Sequence, residues 1–320
     1  MSPRADLRPT LAAWAELLRV SALFTVPGDT LAGAAAVSVR PHRSTALALG
    51  ASLCLYEAGM ALNDWADREE DARDRPHRPL PSGRISPAAA LAAAGTLTGA
   101  GLALAALAGR PTLAVGAALA ATVWAYDLGL KHTVAGPVAM GATRALDLLL
   151  GATATAAGTA PERAPGTGTG TTARSVQKRF PRVALPSAVL LGAHTTAVTT
   201  VSRREAEGGS TAAPLAALAA TMTLGALAGR CRRAADGSRT GPVLAGVCAA
   251  LYAATVGRPL LHAALNPSPP LTQRAVGGGI RATIPLQAAL AARGGAPGIA
   301  LGVMALVPPA RALARRVSPT

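Results

Sequence analysis

Half of the 320 residues are hydrophobic and only 15% are charged, whereas an ordinary soluble domain carries about 25% charged residues. So few charges cannot cover the surface of a soluble core, which excludes an ordinary soluble globular protein and indicates a chain surrounded largely by lipid. The net charge is +15, but the basic residues lie in short loops between apolar stretches, as membrane-flanking arginines do. No continuous basic surface is expected, and nucleic acid is therefore not an expected partner.

Apolar stretches of about 20 residues, the length that crosses a bilayer as a helix, recur along the chain. They predict an all-α integral membrane protein, a single membrane domain with nine or ten transmembrane helices. The expected spans are residues 17–39, 45–62, 88–109, 111–126, 134–158, 183–201, 212–229, 241–265, 280–292 and 297–312. Gly294 and Gly295 separate the last two, so the region after residue 265 holds one span or two.

Four loops between these spans have distinctive compositions. Residues 64–86 and 202–210 are charged, residues 127–133 are short and carry Lys131, and residues 159–182 form a polar, Gly/Thr-rich loop that we expect to be flexible. The alternation of spans places the loops 64–86, 127–133 and 202–210 on the same side of the membrane. That side is the cytoplasm if the N-terminus is inside, and the distribution of arginines gives this orientation partial support.

The charged loop 64–86 begins with an acidic cluster directly after an apolar span. If the helix continues, Asn63, Asp67 and Asp71 recur every four residues, and Asp64, Asp67, Asp71 and Asp74 lie on the same stripe. Carboxylates gathered beside a membrane repel one another and are costly, so the stripe requires a cation. Hard oxygen ligands favour Mg²⁺, which usually completes its coordination with water and substrate phosphates. The cluster therefore predicts a site for a magnesium-bound diphosphate.

The same segment carries a family resemblance. Asn-Asp-x-x-Asp-x-x-x-Asp at residues 63–71, followed by Arg-Pro-Leu-Pro-Ser-Gly-Arg-Ile at residues 78–85, resembles the first signature of the UbiA superfamily of intramembrane prenyltransferases. The tail is closest to the chlorophyll synthase and geranylgeranylglyceryl phosphate prenyltransferase side. The resemblance implies a helical bundle around a central cavity, capped on the cytoplasmic side by the charged loops. It implies Asn63, Asp67 and Asp71 as magnesium ligands, with Asp64 beside them.

Two further elements extend the candidate site. Tyr126 and Lys131 resemble a Tyr…Lys element of the family. Lys131 is expected to place its charge on the diphosphate, although a Lys at a helix end can also simply extend to the membrane surface. Arg144 and Asp147 lie inside the span 134–158, where ionisable residues bind a ligand or form a structural ion pair. The family often has Asn at the position of Asp147.

We assign candidate roles on this basis. The candidate catalytic residues are Lys131, Tyr126 and Arg144, with Tyr126 or Trp124 as the aromatic group that stabilises a carbocation-like centre. The candidate substrate-binding residues are Arg68, Arg78, Arg84, Asp147 and Arg203.

The second acidic motif departs from the family pattern. The family has Asp-x-x-x-Asp after the sixth span, whereas this chain has Glu205 and Glu207. Residues two apart on a helix point in different directions, so at most one of the two is expected to serve a shared metal. Glu205 is the better candidate for a fifth magnesium ligand, and Arg203 or Arg204 could replace the missing metal charge.

The expected function is a Mg²⁺-dependent transfer of a prenyl group from a prenyl diphosphate to an aromatic or lipid-like acceptor within the cell membrane. The expected partners are the prenyl diphosphate, a hydrophobic acceptor and membrane lipid. Two alternatives remain open: a non-catalytic prenyl-lipid binding or carrier protein on the same fold, and a small-molecule transporter that uses its intramembrane charges.

Overall fold

The computed structural model describes residues 7–157, 170–205, 208–230 and 239–317. Within these ranges the chain forms α-helices and short 3₁₀ helices and no strand, which confirms the all-α prediction. The α-helices are α1 Leu7–Leu17, α2 Val26–Ala36, α3 Arg43–Ala66, α4 Arg68–Asp74, α5 Pro87–Ala108, α6 Arg110–Leu128, α7 Gly136–Ala157, α8 Gly170–Ser202, α9 Ala212–Gly229, α10 Thr240–Leu265, α11 Pro269–Arg293, α12 Pro297–Met304 and α13 Val307–Val317.

Five helical segments in the described ranges are both long enough and apolar enough to cross a membrane: α3, α5, Val183–Ser202 of α8, α9 and α10. Helices α6, α7 and α11 are comparable in length, with 19, 22 and 25 residues. Polar and charged residues lower their hydropathy, among them Arg144 and Asp147 in α7 and Arg281 in α11. The structure therefore supports a multi-helix membrane bundle but does not establish the predicted nine or ten spans.

The predicted span 17–39 is broken near its start. Helix α1 ends at Leu17, a 3₁₀ helix covers Val20–Thr25, and α2 begins only at Val26. Arg19 adopts a left-handed backbone conformation with φ of 48°, which an α-helix cannot contain. Pro27 stands in the first turn of α2, where its missing N–H and fixed φ are tolerated. A stretch that is apolar enough for one helix is therefore divided into two.

Three other boundaries differ from the expectation. The predicted span 280–292 is the second half of α11, and the predicted span 297–312 is divided between α12 and α13. Helix α8 begins at Gly170, inside the segment 159–182 that we expected to be a flexible loop. Residues 159–169 of that segment lie outside the described ranges.

Helix α2 is buried between α7 and α11, and glycines allow their backbones to touch. A Cβ on Gly33 of α2 would lie 2.0 Å from the carbonyl oxygen of Leu148 in α7, and a Cβ on Gly151 of α7 would lie 2.2 Å from the carbonyl oxygen of Thr30. At the far end of α11, a Cβ on Gly294 would lie 2.5 Å from the carbonyl oxygen of Ala35. Small residues at these positions bring membrane helices into close contact.

We expect Gly151→Ala to destabilise the protein strongly, because the added methyl group overlaps backbone atoms that cannot move aside without separating α2 from α7. The change should lower the thermal unfolding midpoint of the detergent-solubilised protein by several degrees, from a cost of about 1–3 kcal/mol. Gly95→Ala in α5 is the matched control, since its added Cβ meets nothing within 4 Å and alanine favours helix. Equal midpoints for the two variants would contradict this account of the α2–α7 contact.

Candidate active site

The acidic stripe lies where α3 passes into α4. The backbone N–H of Asp67 donates to the carbonyl oxygen of Asn63 at 2.9 Å, and that of Asp71 donates to the carbonyl oxygen of Asp67 at 2.8 Å. The helical course therefore continues across the junction, as the spacing predicts. The side chains of Asp64 and Asp71 are 5% and 4% exposed, respectively, so two carboxylates are buried at the end of an apolar helix.

Arg78 joins these two carboxylates. Its Nη1 lies 2.8 Å from Oδ2 of Asp71 and 3.6 Å from Oδ1 of Asp64. Arg75 adds a longer contact to Asp71 at 3.5 Å. Arg78 belongs to the second part of the signature, and Asp64 and Asp71 belong to the first. The loop 64–86 therefore folds back onto its own acidic stripe.

Arg19, at the break between α1 and α2, approaches the stripe from the other side. Its Nη2 lies 3.2 Å from Oδ1 of Asp64 and 3.5 Å from Oδ1 of Asn63. The amide nitrogen of Asn63 donates to Oδ1 of Asp127 at 3.1 Å, which ties α3 to the end of α6. The left-handed conformation of Arg19 therefore occurs where its side chain can reach the two polar residues that begin the signature.

The loops 127–133 and 202–210 lie at the same end of the bundle. Lys131 forms an ion pair with Asp67, and Arg203 donates to the carbonyl oxygen of Thr133. We call the connected side chains at this end the cap cluster: Arg19, Asn63, Asp64, Asp67, Asp71, Arg78, Asp127 and Lys131.

Tyr126 and Glu205 lie at the edge of the cap cluster. Tyr126 is half-buried, and Asp127, Asp67 and Arg203 are close enough to act on it electrostatically. Burial raises the pKa of the Glu205 carboxyl, and the charge of Arg75 offsets part of that rise. Glu207 lies outside the described residues, so Glu205 is the one carboxylate of the second motif whose surroundings are defined.

The cap cluster offers oxygen ligands of the type that Mg²⁺ prefers, usually one or two carboxylates completed by water and phosphate oxygens. Oxygens of Asp64 and Asp71 already converge on one cationic atom, Nη1 of Arg78, so this position stabilises positive charge. Elsewhere the predicted ligands diverge, since Asp67 faces Lys131 and Asn63 faces Asp127. Among the described residues no three His, Cys, Asp or Glu side chains surround one point. Asp64 and Asp71 fit a metal with two protein carboxylates, and the larger ligand set stays a prediction.

Two arginines that we predicted to bind substrate point elsewhere. Arg68 stacks on the ring of Trp65, with its guanidinium carbon 4.8 Å from the ring centroid, and contacts Glu69. Arg84 lies 2.7 Å from a carboxylate oxygen of Glu16 in α1 and donates to the carbonyl oxygen of His77. Of the three arginines of this loop that we predicted to bind substrate, Arg78 is the one that contacts the acidic stripe.

Arg144 and Asp147 belong to a second polar group deeper in the bundle. Arg144 lies 3.0 Å from Oδ2 of the fully buried Asp29. Gln287 donates to the other oxygen of Asp29 at 2.6 Å, and Asp147 accepts a hydrogen bond from Ser52 at 2.7 Å. Ser52 precedes Asn63 by 11 residues, or roughly 16 Å along α3. Arg144 is thus a partner of Asp29 below the cap cluster.

A cavity of about 50 Å³, lined by residues that include Ser52, Tyr56, Arg144 and Asp147, lies beside this deeper group. Ligand-binding cavities commonly enclose about 300–1,000 Å³, so a prenyl chain requires the helices around this cavity to separate. Asp147 Oδ1 and Glu57 Oε2 are buried without a hydrogen-bond partner among the described residues.

Sequence reasoning did not select Asp127, Ser52 or Gln287, which contact Asn63, Asp147 and Asp29, respectively. It ranked Arg19, the partner of Asp64, below the others. Gln287 and Ser52 are polar residues inside apolar spans, which is a usable signal of an interior contact. Asp127 lies in the last turn of α6, between the two residues that we did select, Tyr126 in the same turn and Lys131 just after the helix. Its link to Asn63 depends on the packing of α3 against α6, which the sequence does not display.

The chain matches the model of the UbiA prenyltransferase family over residues 21–265. It belongs to the UbiA prenyltransferase family. This assignment confirms the resemblance carried by residues 63–85, and it extends the match from one signature to most of the described helices. Together with the apolar helices, it makes the chain a multi-pass membrane protein.

The UbiA chain is similar to several proteins named digeranylgeranylglyceryl phosphate synthase. It is 34% identical to that of Methanopyrus kandleri over 128 residues, 38% of this chain and 45% of the relative. It is 42% identical to that of Methanothrix thermoacetophila over 95 residues, 29% of this chain and 36% of the relative. For Ignicoccus hospitalis the identity is 33% over 147 residues, 46% of this chain and 48% of the relative. The chain thus spans less than half the length of the curated relatives it matches.

Two solved structures share the UbiA fold. One comes from a study of the biosynthesis of digeranylgeranylglyceryl phosphate synthase in membranes. Its TM-score is 0.56 at 16% identity, with 89% of this chain and 98% of that chain covered. The other is the apo structure of a UbiA homolog from Aeropyrum pernix K1. Its TM-score is 0.57 at 18% identity, with 84% of this chain and 96% of that chain covered. At these identities the likeness establishes the fold.

Proposed function

We propose that this UbiA protein is a Mg²⁺-dependent prenyltransferase that moves a prenyl group from a prenyl diphosphate to a lipid-like acceptor in the membrane. One observation carries the proposal: in a chain of this family, two buried carboxylates converge on Arg78 at one end of an apolar bundle, with Lys131 on a neighbouring loop. A diphosphate needs positive charge, and its prenyl chain needs an apolar environment. The cap cluster and the bundle beneath it provide both.

The residues of the chain have distinct tasks in this reaction. Arg78 and Lys131 leave their carboxylate partners and donate hydrogen bonds to the diphosphate oxygens, where they stabilise the charge that develops as the allylic C–O bond breaks. The electron pair of that bond leaves with the diphosphate, and an acceptor atom supplies the pair for the new bond to the prenyl carbon. Tyr126 is the aromatic candidate for stabilising the positive carbon.

Asp64 and Asp71 are the residues best arranged to hold Mg²⁺, with Asn63, Asp67 and Glu205 as further candidate ligands. When bound there, the metal neutralises part of the charge on the departing diphosphate. Arg78 already contacts the same two carboxylates, so a magnesium ion can bind to them only if the Arg78 side chain turns away. That turn directs the guanidinium toward the place where the phosphate groups of the substrate are expected.

The names of the relatives favour a lipid-like acceptor over an aromatic one. A digeranylgeranylglyceryl phosphate synthase makes a product that contains geranylgeranyl groups and a glyceryl phosphate. For the present chain we therefore propose geranylgeranyl diphosphate as the first donor to test and a prenylated glycerol phosphate as the first acceptor. We also propose that the cap cluster faces the cytoplasm of a cell membrane, the orientation inferred from the alternation of spans.

The proposal is tested by measuring diphosphate release and product formation from the purified protein in detergent, with geranylgeranyl diphosphate and geranylgeranylglyceryl phosphate. Release should require both the acceptor and Mg²⁺, and it should stop when EDTA is added. Prenyl diphosphate that binds but is never cleaved, across donor chain lengths and with a membrane lipid extract as acceptor, would refute the assignment.

We expect Lys131→Gln to weaken binding of the prenyl diphosphate, because the variant loses a positive charge that would donate to it. Hydrogen bonds to charged groups contribute about 1.5–3 kcal/mol, so the KM for the donor should rise about tenfold or more. His132→Gln is the matched control, since His132 is the exposed neighbour of Lys131. A KM for Lys131→Gln that equals the control value would exclude Lys131 from the diphosphate site.

A second candidate function is binding or carriage of a prenyl lipid without catalysis. It is favoured by the second charged loop, where Glu205 is the one described carboxylate and Arg75 lies close to it. A cap with fewer carboxylates could retain a diphosphate through its arginines alone. Mg²⁺-independent binding of geranylgeranyl diphosphate, with no cleavage, distinguishes this function from prenyl transfer.

A further inference from the structure

The described residues line a second and larger cavity, of about 350 Å³. It lies between the 3₁₀ helix Val20–Thr25 and helices α10, α11, α12 and α13. Its walls are mostly apolar and include Leu251, Ile284 and Val307, and no residue of the cap cluster lines it. The volume falls within the range of about 300–1,000 Å³ that is common for bound small molecules.

Two arginines, Arg281 of α11 and Arg311 of α13, line this apolar cavity. Neither forms an ion pair with a carboxylate in the described part of the chain. The guanidinium of Arg281 folds back over Gly277, and its Nη1 lies 3.2 Å from where a Cβ of that glycine would stand. Both cationic groups therefore lie at the cavity without an anion from the described part of the protein.

Arg281 and Arg311 are exposed, whereas Arg19 and Arg144 are partly buried and paired. Arg19 is paired with Asp64, and Arg144 is paired with Asp29. Residues 208–320 contain eleven arginines and a single acidic residue, Asp236, which lies outside the described residues. An exposed arginine that faces lipid is costly unless it is paired or bound, and an anion from another molecule would remove that cost for Arg281 and Arg311.

We propose that this cavity binds an anionic glycerophospholipid of the bilayer. One acyl chain occupies the apolar space between α10, α11 and α13, and the phosphate lies between Arg281 and Arg311. Arginine suits this ligand because its guanidinium donates two parallel hydrogen bonds to phosphate oxygens, and basic pockets between membrane helices commonly hold anionic headgroups. The site is separate from the proposed prenyl transfer and does not depend on it.

Lipid titration of the full chain in neutral detergent tests the proposal, with bound lipid counted by native mass spectrometry. Dioleoyl phosphatidylglycerol should bind more tightly than dioleoyl phosphatidylcholine. The double variant Arg281→Gln/Arg311→Gln should lose about 30-fold in phosphatidylglycerol affinity, the effect of removing two arginine–headgroup contacts. Inorganic phosphate alone should bind measurably to neither the wild type nor the double variant, because the acyl chain supplies much of the affinity.

Arg274→Gln is the matched control, because Arg274 is exposed on the same helix, two turns before Arg281, and does not line the cavity. It should leave phosphatidylglycerol binding unchanged. If the double variant does not fold, Ala310→Trp keeps both charges, fills the cavity and should abolish the lipid preference. Equal binding of the two lipids by the wild type would overturn the proposal. A raised KM for the prenyl acceptor in the double variant, with phosphatidylglycerol binding intact, would assign the cavity to the acceptor instead.

Discussion

The variant Asp71→Asn should lose at least about a hundredfold of the rate of Mg²⁺-dependent diphosphate release. Asp71 is buried and provides one of the two carboxylates that converge on Arg78, and an amide there neither holds a divalent cation well nor pairs with Arg78. Preorganised charge at a reacting centre is commonly worth a factor of about 10²–10³ in rate. The rate is measured with saturating donor and acceptor over a range of Mg²⁺ concentrations, so that weakened metal binding is separated from slower turnover.

Asp74→Asn supplies the matched control for this variant. Asp74 lies one turn further along the same short helix, is exposed, and has no hydrogen bond or ion pair within the described ranges. The control should retain the wild-type rate and the wild-type dependence on Mg²⁺. If Asp71→Asn also retained both, the acidic stripe would have no part in the reaction, and the proposed function would lose its main support.

Replacing Arg144 should destabilise the whole protein more than any other single change at the described polar sites. Arg144 is the cationic partner of Asp29, whose side chain is fully buried. Removing one member of a buried ion pair costs about 3–5 kcal/mol, because the other charge is left without compensation. For Arg144→Met we therefore expect the thermal unfolding midpoint in detergent to fall by about 6–12 °C.

A double-variant cycle separates this structural role from a catalytic one. Asp29→Asn/Arg144→Met removes both charges, so its midpoint should lie clearly above that of Arg144→Met. Arg43→Gln, an exposed arginine at the start of α3, controls for loss of one positive charge and should leave the midpoint unchanged. Additive losses in the cycle would mean that Arg144 and Asp29 are not coupled. A stable Arg144→Met protein that has lost prenyl transfer would support the catalytic role that we first assigned to Arg144.

Composition and periodicity were sufficient to predict the helical membrane class and the position of the acidic stripe. Both depend on neighbours along the chain: apolar runs specify helices, and a spacing of three and four residues places Asp64 and Asp71 on one face. The break at Arg19 could not be predicted in the same way, because the stretch 17–39 is apolar enough for one span. Its left-handed residue is favoured by contacts with Asp64 and Asn63, which lie more than 40 positions later in the sequence.

Partner choice among the arginines was the least predictable part of the site. Arg68, Arg78 and Arg84 belong to one loop and have the same chemistry, yet they contact Glu69, Asp71 and Glu16, respectively. Glu16 can reach Arg84 because α1 packs against α3, an arrangement with no periodic signal. The same limit applies to Gln287, whose contact with Asp29 joins residues 258 positions apart.

The glycine contacts of α2 have a consequence for how the protein moves. Packed helices usually slide past one another by changing side-chain rotamers at their interface. At Gly33 and Gly151, however, backbone meets backbone, and no side chains lie between the two helices. Helices α2 and α7 should therefore move as one body, and they should exchange their amide hydrogens last. Admission of a long prenyl chain should therefore depend on α3 and α6, which line the other walls of the small cavity beside Arg144.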